Sequence, residues 1–224
     1  MPRFGSASLG IELQQGGAIA TTLGNSSEIR WGAAFTRDVL GTGVHRACFT
    51  VKKGLYIYVG LARSVSHVCC EFGSNEPRPQ TLLTWATLQA MMTSSIGITH
   101  VRHATSFWGL EIRTGWVSHG GMTKDWSQRQ GFKPGDKLGL VYGTSTGSLA
   151  LFCDGRPLGT IANGLPGPGM LVWTVSLMGR HPGYDKDGQE VLLEAWDPAS
   201  TCSQTLDSKE GRVEDLKGNV TVGT

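Results

Sequence analysis

Residues 138–161 read LGLVYGTSTGSLALFCDGRPLGTI, and their pattern decides the fold class. Three β-rich runs, 138–142, 149–153 and 157–161, are separated by Gly143-Thr144-Ser145-Thr146-Gly147 and by Asp154-Gly155. Each run has the length of a strand. Asp-Gly is a strong signal for a two-residue hairpin turn, whose central residues adopt positive φ. The stretch therefore predicts three successive strands joined by tight turns. The rhythm continues outward. Residues 171–178 (LVWTVSLM) and 190–196 (EVLLEAW) are strands downstream. Upstream, 107–112 and 115–118 flank a short turn at Thr114-Gly115. Residues 45–52 and 55–63 flank Lys53-Gly54 and read as a hairpin, and 29–36 (EIRWGAAF) precede a turn at Gly41-Thr42-Gly43. Roughly ten short strands at this spacing predict an all-β chain, a twisted two-sheet antiparallel β-sandwich or a barrel.

Composition supports the same class. Gly supplies 32 of 224 residues, about twice the usual share of ~7%. Charged residues make up only 17%, which argues against a helical bundle or coiled coil. The glycines lack a strict period of three, which excludes collagen. The net charge is +2, with Lys and Arg scattered rather than gathered in a stripe, so no nucleic-acid partner is expected. No apolar run reaches the roughly 18–20 residues that span a bilayer, so no membrane partner is expected. The start, Met1-Pro2-Arg3-Phe4-Gly5, lacks the apolar stretch of a secretory signal. Five cysteines, Cys48, Cys69, Cys70, Cys153 and Cys202, are an odd set without paired spacing. Reduced thiols and a cytoplasmic or nuclear localisation are the expectation.

Along the chain, residues 1–28 are small and polar and are expected to form an N-terminal arm or edge strand. Residues 29–198 form the sandwich, and 199–224, polar and free of aromatics, a disordered C-terminal tail. An insertion is expected at 74–105. Within it, Leu82, Trp85, Leu88, Met92 and Ile96 recur at steps of three or four, which predicts one helix over 80–96. That helix either covers an open end of the sandwich or docks a partner.

The strands also carry recognisable words. Gly43-Val44-His45 followed by Cys48-Phe49-Thr50-Val51 resembles the Gly-x-His strand start of SPRY (B30.2-type) domains. Val59-Gly60-Leu61-Ala62 resembles the next strand, and Trp108-Gly109-Leu110 with His119-Gly120 the central segment. Phe132 through Leu140, Gly147 through Gly159, and Gly164-Leu165 with Val175-Ser176-Leu177 resemble the remaining strands in the family's order. Taken together, 29–196 is most similar to the subset found in SOCS-box and F-box SPRY proteins. The resemblance implies a SPRY-like, concanavalin-like jelly roll. It also implies a non-enzymatic protein–protein interaction module, an adaptor that binds a peptide or protein partner through loops at one end. The oligomeric state is left open.

The resemblance places the binding surface on two loops. One follows Val59–Ala62 and offers Arg63 and His67; the other follows Val175–Leu177 and offers Met178, Gly179 and Arg180. The subset reads Val-Trp-Gly where this chain reads Leu177-Met178-Gly179, so only the glycine matches, and Met supplies an adaptable apolar contact instead. Arg63 and Arg180 would pair with an acidic peptide. Of seven tryptophans, Trp108, Trp173 and Trp196 lie in apolar strands and are expected in the core. Trp116 and Trp126 flank a polar loop and are expected to be partner contacts.

Other chemistries are weaker. Gly143–Gly147 matches G-x-S-x-G, but a hydrolase elbow needs a helix after Ser145, and a strand is predicted there. His67, Cys69, Cys70, His100 and His103 lack the Cys-x-x-Cys spacing of a zinc site. No metal, cofactor or catalytic residue is therefore expected. A carbohydrate-binding lectin-like domain is the alternative reading, on fold analogy alone.

Overall fold

The computed structural model describes residues 1–7, 10–23, 31–64, 107–119, 122–124, 126, 128–179 and 188–196. Their strands are β1 (Phe4–Ala7), β2 (Ile11–Gln14), β3 (Ile19–Thr22), β4 (Trp31–Thr36), β5 (Val44–Lys53), β6 (Ile57–Arg63) and β7 (Phe107–Glu111). Then follow β8 (Val117–His119), β9 (Met122–Lys124), β10 (Lys137–Gly143), β11 (Ser148–Cys153), β12 (Arg156–Ala162), β13 (Leu171–Met178) and β14 (Glu190–Glu194). They form two seven-stranded sheets in the orders β1-β4-β13-β6-β7-β8-β9 and β12-β11-β10-β5-β14-β3-β2. All pairings between these strands are antiparallel. The two-sheet sandwich expected from the sequence is the observed architecture.

The β10-β11-β12 meander falls where the opening stretch of sequence places it. Leu138 faces Cys153 and Gly143 faces Ser148 across the first hairpin. At the second turn Asp154 and Gly155 have φ of 48° and 79°, the left-handed pair that a two-residue hairpin demands. Ser145 sits in the turn between β10 and β11, with a strand after it, so the hydrolase elbow is absent.

Two expectations change. Lys53-Gly54 does not turn a hairpin: β5 lies in one sheet and β6 in the other. β6 is buried along nearly its whole length and β5 through its middle, Ala47–Val51, so each needs neighbours on both sides, and the turn carries the chain across the core. Residues 4–22, expected as an arm or one edge strand, hold three strands. They supply β1 and β2 at the edges of the two sheets and β3 between β14 and β2. Phe4, Ile11, Ala18, Ile19 and Ala20 are the buried apolar residues that bind them there; Phe4 and Ile11 stand alone among small and polar neighbours, which hides β1 and β2 in the sequence. The expected helix at 80–96 and the tail at 199–224 lie outside the described residues.

The core lies between the sheets. In β13, Trp173, Val175 and Leu177 join Phe49, Leu61, Leu110, Leu140 and Leu151 in one cluster. The Phe49 and Trp173 rings meet edge to face at 6.2 Å, a favoured aromatic geometry. Alternation sends Val172 to the opposite face, where it clusters with Ala33, Phe35 and Ala62. The Thr174 and Ser176 hydroxyls on that face donate to the Ala34 and Gly32 carbonyls at 3.0 and 3.1 Å, as buried hydroxyls must find an acceptor. Each fully buried Leu of this core contributes roughly 1.5–3 kcal/mol. Trp108, Trp173 and Trp196 are buried, as their strand positions predict.

Candidate binding surface

Strand register decides which predicted residues meet. β6 and β13 are antiparallel, with Leu177 opposite Ile57 and Leu171 opposite Arg63. Met178 closes β13 at one end, and Arg63 closes β6 at the other. The eight residues of β13 put those ends about 23 Å apart, at roughly 3.3 Å per residue. Arg63 therefore shares no site with Met178 and Gly179. The strand ends from which the two predicted loops leave lie at opposite ends of the sheet.

Met178 is also not a surface contact: it is only 1% exposed. The cause is its strand. β13 is interior to its sheet, Met178 pairs with Trp31 of β4, and its N–H donates to the Tyr56 carbonyl at 3.0 Å. Gly179 is half-buried at the strand end. His67 and Arg180 lie outside the described residues.

Trp116 and Trp126 do come together, at the Met178 end. Glu111 of β7 is close to that end, because it pairs with Tyr58, and Ile112 N–H donates to the Ile57 carbonyl at 2.9 Å. The β7–β8 turn, 112–116, is locked from several sides. Gly115 N–H donates to the Glu111 carbonyl at 2.9 Å, and Glu111 N–H to the Trp116 carbonyl at 2.8 Å. The Thr114 hydroxyl donates to the buried Glu111 carboxylate at 2.7 Å. Gly115 has φ of +68°, and a Cβ there would stand 1.9 Å from the Gln130 carbonyl oxygen. Only glycine fits the turn against the 128–132 segment.

Two arginines flank this turn. The Arg129 guanidinium lies 4.8 Å from the Trp116 ring centroid, and its Nε donates to the Thr114 carbonyl at 3.1 Å. The Arg113 guanidinium lies 5.0 Å from the Tyr56 ring centroid, and its Nη1 donates to the Tyr56 hydroxyl at 2.6 Å. Both contacts fall within cation–π range. Tyr56 is itself held: its N–H donates to Gln189 Oε1 at 3.1 Å, and Gln189 N–H donates to the Thr22 hydroxyl at 2.9 Å. Trp126 is half-buried against the core, and its indole N–H donates to the Gly115 carbonyl at 2.8 Å. It buttresses the turn; Trp116 is likewise half-buried, and the exposed Arg113 and Arg129 form the turn's outer surface. Leu55, beside Tyr56, adds an exposed apolar side chain.

Tyr56, Arg113 and Arg129 were not legible as site residues. Arg129 lies in the polar loop between Trp116 and Phe132, and Arg beside Trp is a recognised interface signal. Nothing in sequence places Tyr56 beside Arg113. Among the described residues, no group of three His, Cys, Asp or Glu is placed to hold a metal ion. Among the same residues, no helix is long and apolar enough to cross a membrane.

No family model and no curated protein matches the sequence. Solved structures do resemble the fold. The SPRY domain of human HERC1 aligns with TM-score 0.58 at 14% identity, covering 87% of this chain and 98% of that one. The TRIM65 PSpry domain aligns with TM-score 0.53 at 14% identity, covering 87% and 92%. The chain has the fold of SPRY domains.

Proposed function

We propose that this chain is a non-enzymatic protein-interaction module that binds a peptide or protein partner through loops at the Gly179 end of its sandwich. The observation that carries this reading is the pre-organised cluster around the β7–β8 turn. Arg129 over the Trp116 ring, and Arg113 over the Tyr56 ring, put exposed guanidinium groups beside half-buried aromatic rings around one fixed turn. Trp, Tyr and Arg are the side chains that most often dominate binding energy at interfaces. Holding them in place before binding lowers the entropy lost when a partner docks. SPRY domains of similar fold, which generally mediate protein–protein contacts, support the same reading. Work in the cytoplasm or nucleus, where an adaptor would meet its partner, belongs to the same proposal and rests on the odd set of five cysteines without paired spacing.

An affinity pull-down with mass spectrometry tests the proposal. The full chain should retain a partner that the Trp116→Ala variant loses and the Arg63→Ala variant keeps. Retention by Trp116→Ala and Arg129→Ala alike, with loss in Arg63→Ala, would move the surface to the opposite end.

A further inference from the structure

We infer that Asn163-Gly164 is a site of spontaneous covalent modification, where the Asn163 amide closes on the main chain and is converted to isoaspartate and aspartate. An Asn-Gly step gives this reaction its least steric resistance, because the attacking nitrogen belongs to a residue without a Cβ. The step occurs once in the sequence: Asn25, Asn75 and Asn219 are followed by Ser, Glu and Val. Asn163 and Gly164 are both exposed, just past the end of β12. Gly164 has φ of +69°, and nothing lies within 4 Å of the place a Cβ would take. Among the described residues, neither the Asn163 side chain nor the Gly164 N–H makes a hydrogen bond.

The neighbours on either side are pinned. Ala162 pairs with Leu149 of β11. Leu165 is buried, and its N–H donates to the Gly147 carbonyl at 2.9 Å. The freedom left between these anchors belongs to the two residues that must rotate to bring nitrogen onto side-chain carbon. Asp154-Gly155 is the contrast in the same meander. Asp154 Oδ1 accepts the Lys137 N–H at 3.2 Å, and the hairpin fixes both residues at φ of 48° and 79°. A carboxylate is also a poorer electrophile than an amide, so that turn stays unmodified.

The reaction needs only water. The Gly164 nitrogen loses its proton to solvent base and attacks Asn163 Cγ. The Cγ–Nδ2 bond breaks, and the side-chain nitrogen takes up a proton and leaves as ammonia. A five-membered succinimide results. Water then opens the ring at one of its two carbonyls. Opening at Cγ gives aspartate; opening at the main-chain carbonyl gives isoaspartate, with the backbone routed through the side chain. Either product puts a negative charge on a neutral loop. Isoaspartate also adds a methylene to the main chain between Ala162 and Leu165. The contacts that loosen are the Leu165–Gly147 bond and the bond from the Tyr142 hydroxyl to the Pro166 carbonyl. The loop leads into Leu171, which pairs with Arg63, so the change falls at the end of the sandwich away from Gly179.

The test incubates the full folded chain at mildly alkaline pH and follows each asparagine peptide by mass spectrometry. Methylation by protein isoaspartate methyltransferase is the probe for isoaspartate. The Asn163 peptide should convert before those carrying Asn25, Asn75 and Asn219, with isoaspartate among its products and the Asp154-Gly155 peptide unchanged. Asn163→Gln should abolish the methylation. Gly164→Ala should slow it about ten-fold, since a Cβ then crowds the attacking nitrogen. The rate in the folded chain should lie within about ten-fold of the rate in concentrated urea, because the two anchors leave this step free to rotate. The aged chain should unfold at lower urea than the fresh chain, and aged Asn163→Gln should not. Protection of Asn163 by folding beyond that ten-fold limit would overturn the inference, as would earlier conversion at another asparagine. Conversion to aspartate without isoaspartate would overturn the cyclic route, and an unchanged urea midpoint would overturn the loosening around Leu165.

Discussion

Arg63 stands opposite Leu171, the first residue of β13, while Met178 is the last residue of that strand. The pairing sorts the loops of this sandwich into two ends. It sends Arg63 away from the surface built by Tyr56, Arg113, Trp116 and Arg129. The two ends should act independently on any partner shorter than the sheet. In a double-mutant cycle, Arg63→Ala and Trp116→Ala should therefore show a coupling energy within about 0.5 kcal/mol of zero. Trp116→Ala and Arg129→Ala, whose groups touch, should couple by about 0.5–1 kcal/mol. Partner affinity measured by calorimetry for the single and double variants checks both.

Gly115 is the least replaceable residue of the candidate surface. Gly115→Ala should destabilise the chain by about 2–4 kcal/mol, because the backbone is left-handed and the methyl meets the Gln130 carbonyl. Gly164 supplies the contrast. Its φ is +69° but nothing lies within 4 Å of the place a Cβ would take, so Gly164→Ala should cost only about 1 kcal/mol. Urea denaturation of the two variants distinguishes them. Equal losses would mean that backbone conformation alone, not the Gln130 contact, sets the cost.

The indole N–H of Trp126 has a single structural task, the bond to the Gly115 carbonyl. Trp126→Phe keeps most of the packing against the core and should cost about 1 kcal/mol. Its larger effect should be on binding, through a looser β7–β8 turn. Hydrogen exchange at 112–116 should quicken in the variant; unchanged exchange there would show that Trp126 does not hold the turn.

Burial pushes the Cys48 thiol up to about 11, more than the Thr50 side chain lowers it. The folded chain thus holds this proton more tightly than the unfolded chain does. The contribution to stability is complete below the unfolded thiol's pKa of ~8.5 and fades as pH rises toward the folded value. Between about pH 8 and about pH 10 the wild-type chain should lose more stability than Cys48→Ala does. Denaturation midpoints at the two pH values measure this, and parallel losses would dismiss the role of Cys48. At neutral pH, Cys48 should also resist alkylation until the chain unfolds.

A core truncation gives the scale for these effects. Phe49→Ala removes a fully buried ring and its edge-to-face contact with Trp173. It should cost about 3–5 kcal/mol, by thermal or chemical unfolding, well beyond the loss from Trp126→Phe or Gly164→Ala.

The sequence by itself determined the all-β class, the β10-β11-β12 meander and the burial of Trp108, Trp173 and Trp196. Those features are local: turn chemistry such as Asp154-Gly155, and apolar runs of strand length, act over a few residues and leave a readable pattern. It also singled out Trp116 and Trp126 by their place beside a polar loop. Only the tertiary structure decided which sheet each strand joins, and so which loops share an end. Lys53-Gly54 carries the chain from one sheet to the other, and no local signal separates that crossing from a hairpin. The same holds for Arg63, which register alone parts from Met178, and for Tyr56, which meets Arg113 across 57 positions. Pairing between distant strands is fixed by burial on both faces of each sheet at once, a collective property of the packed core that no short stretch of residues contains.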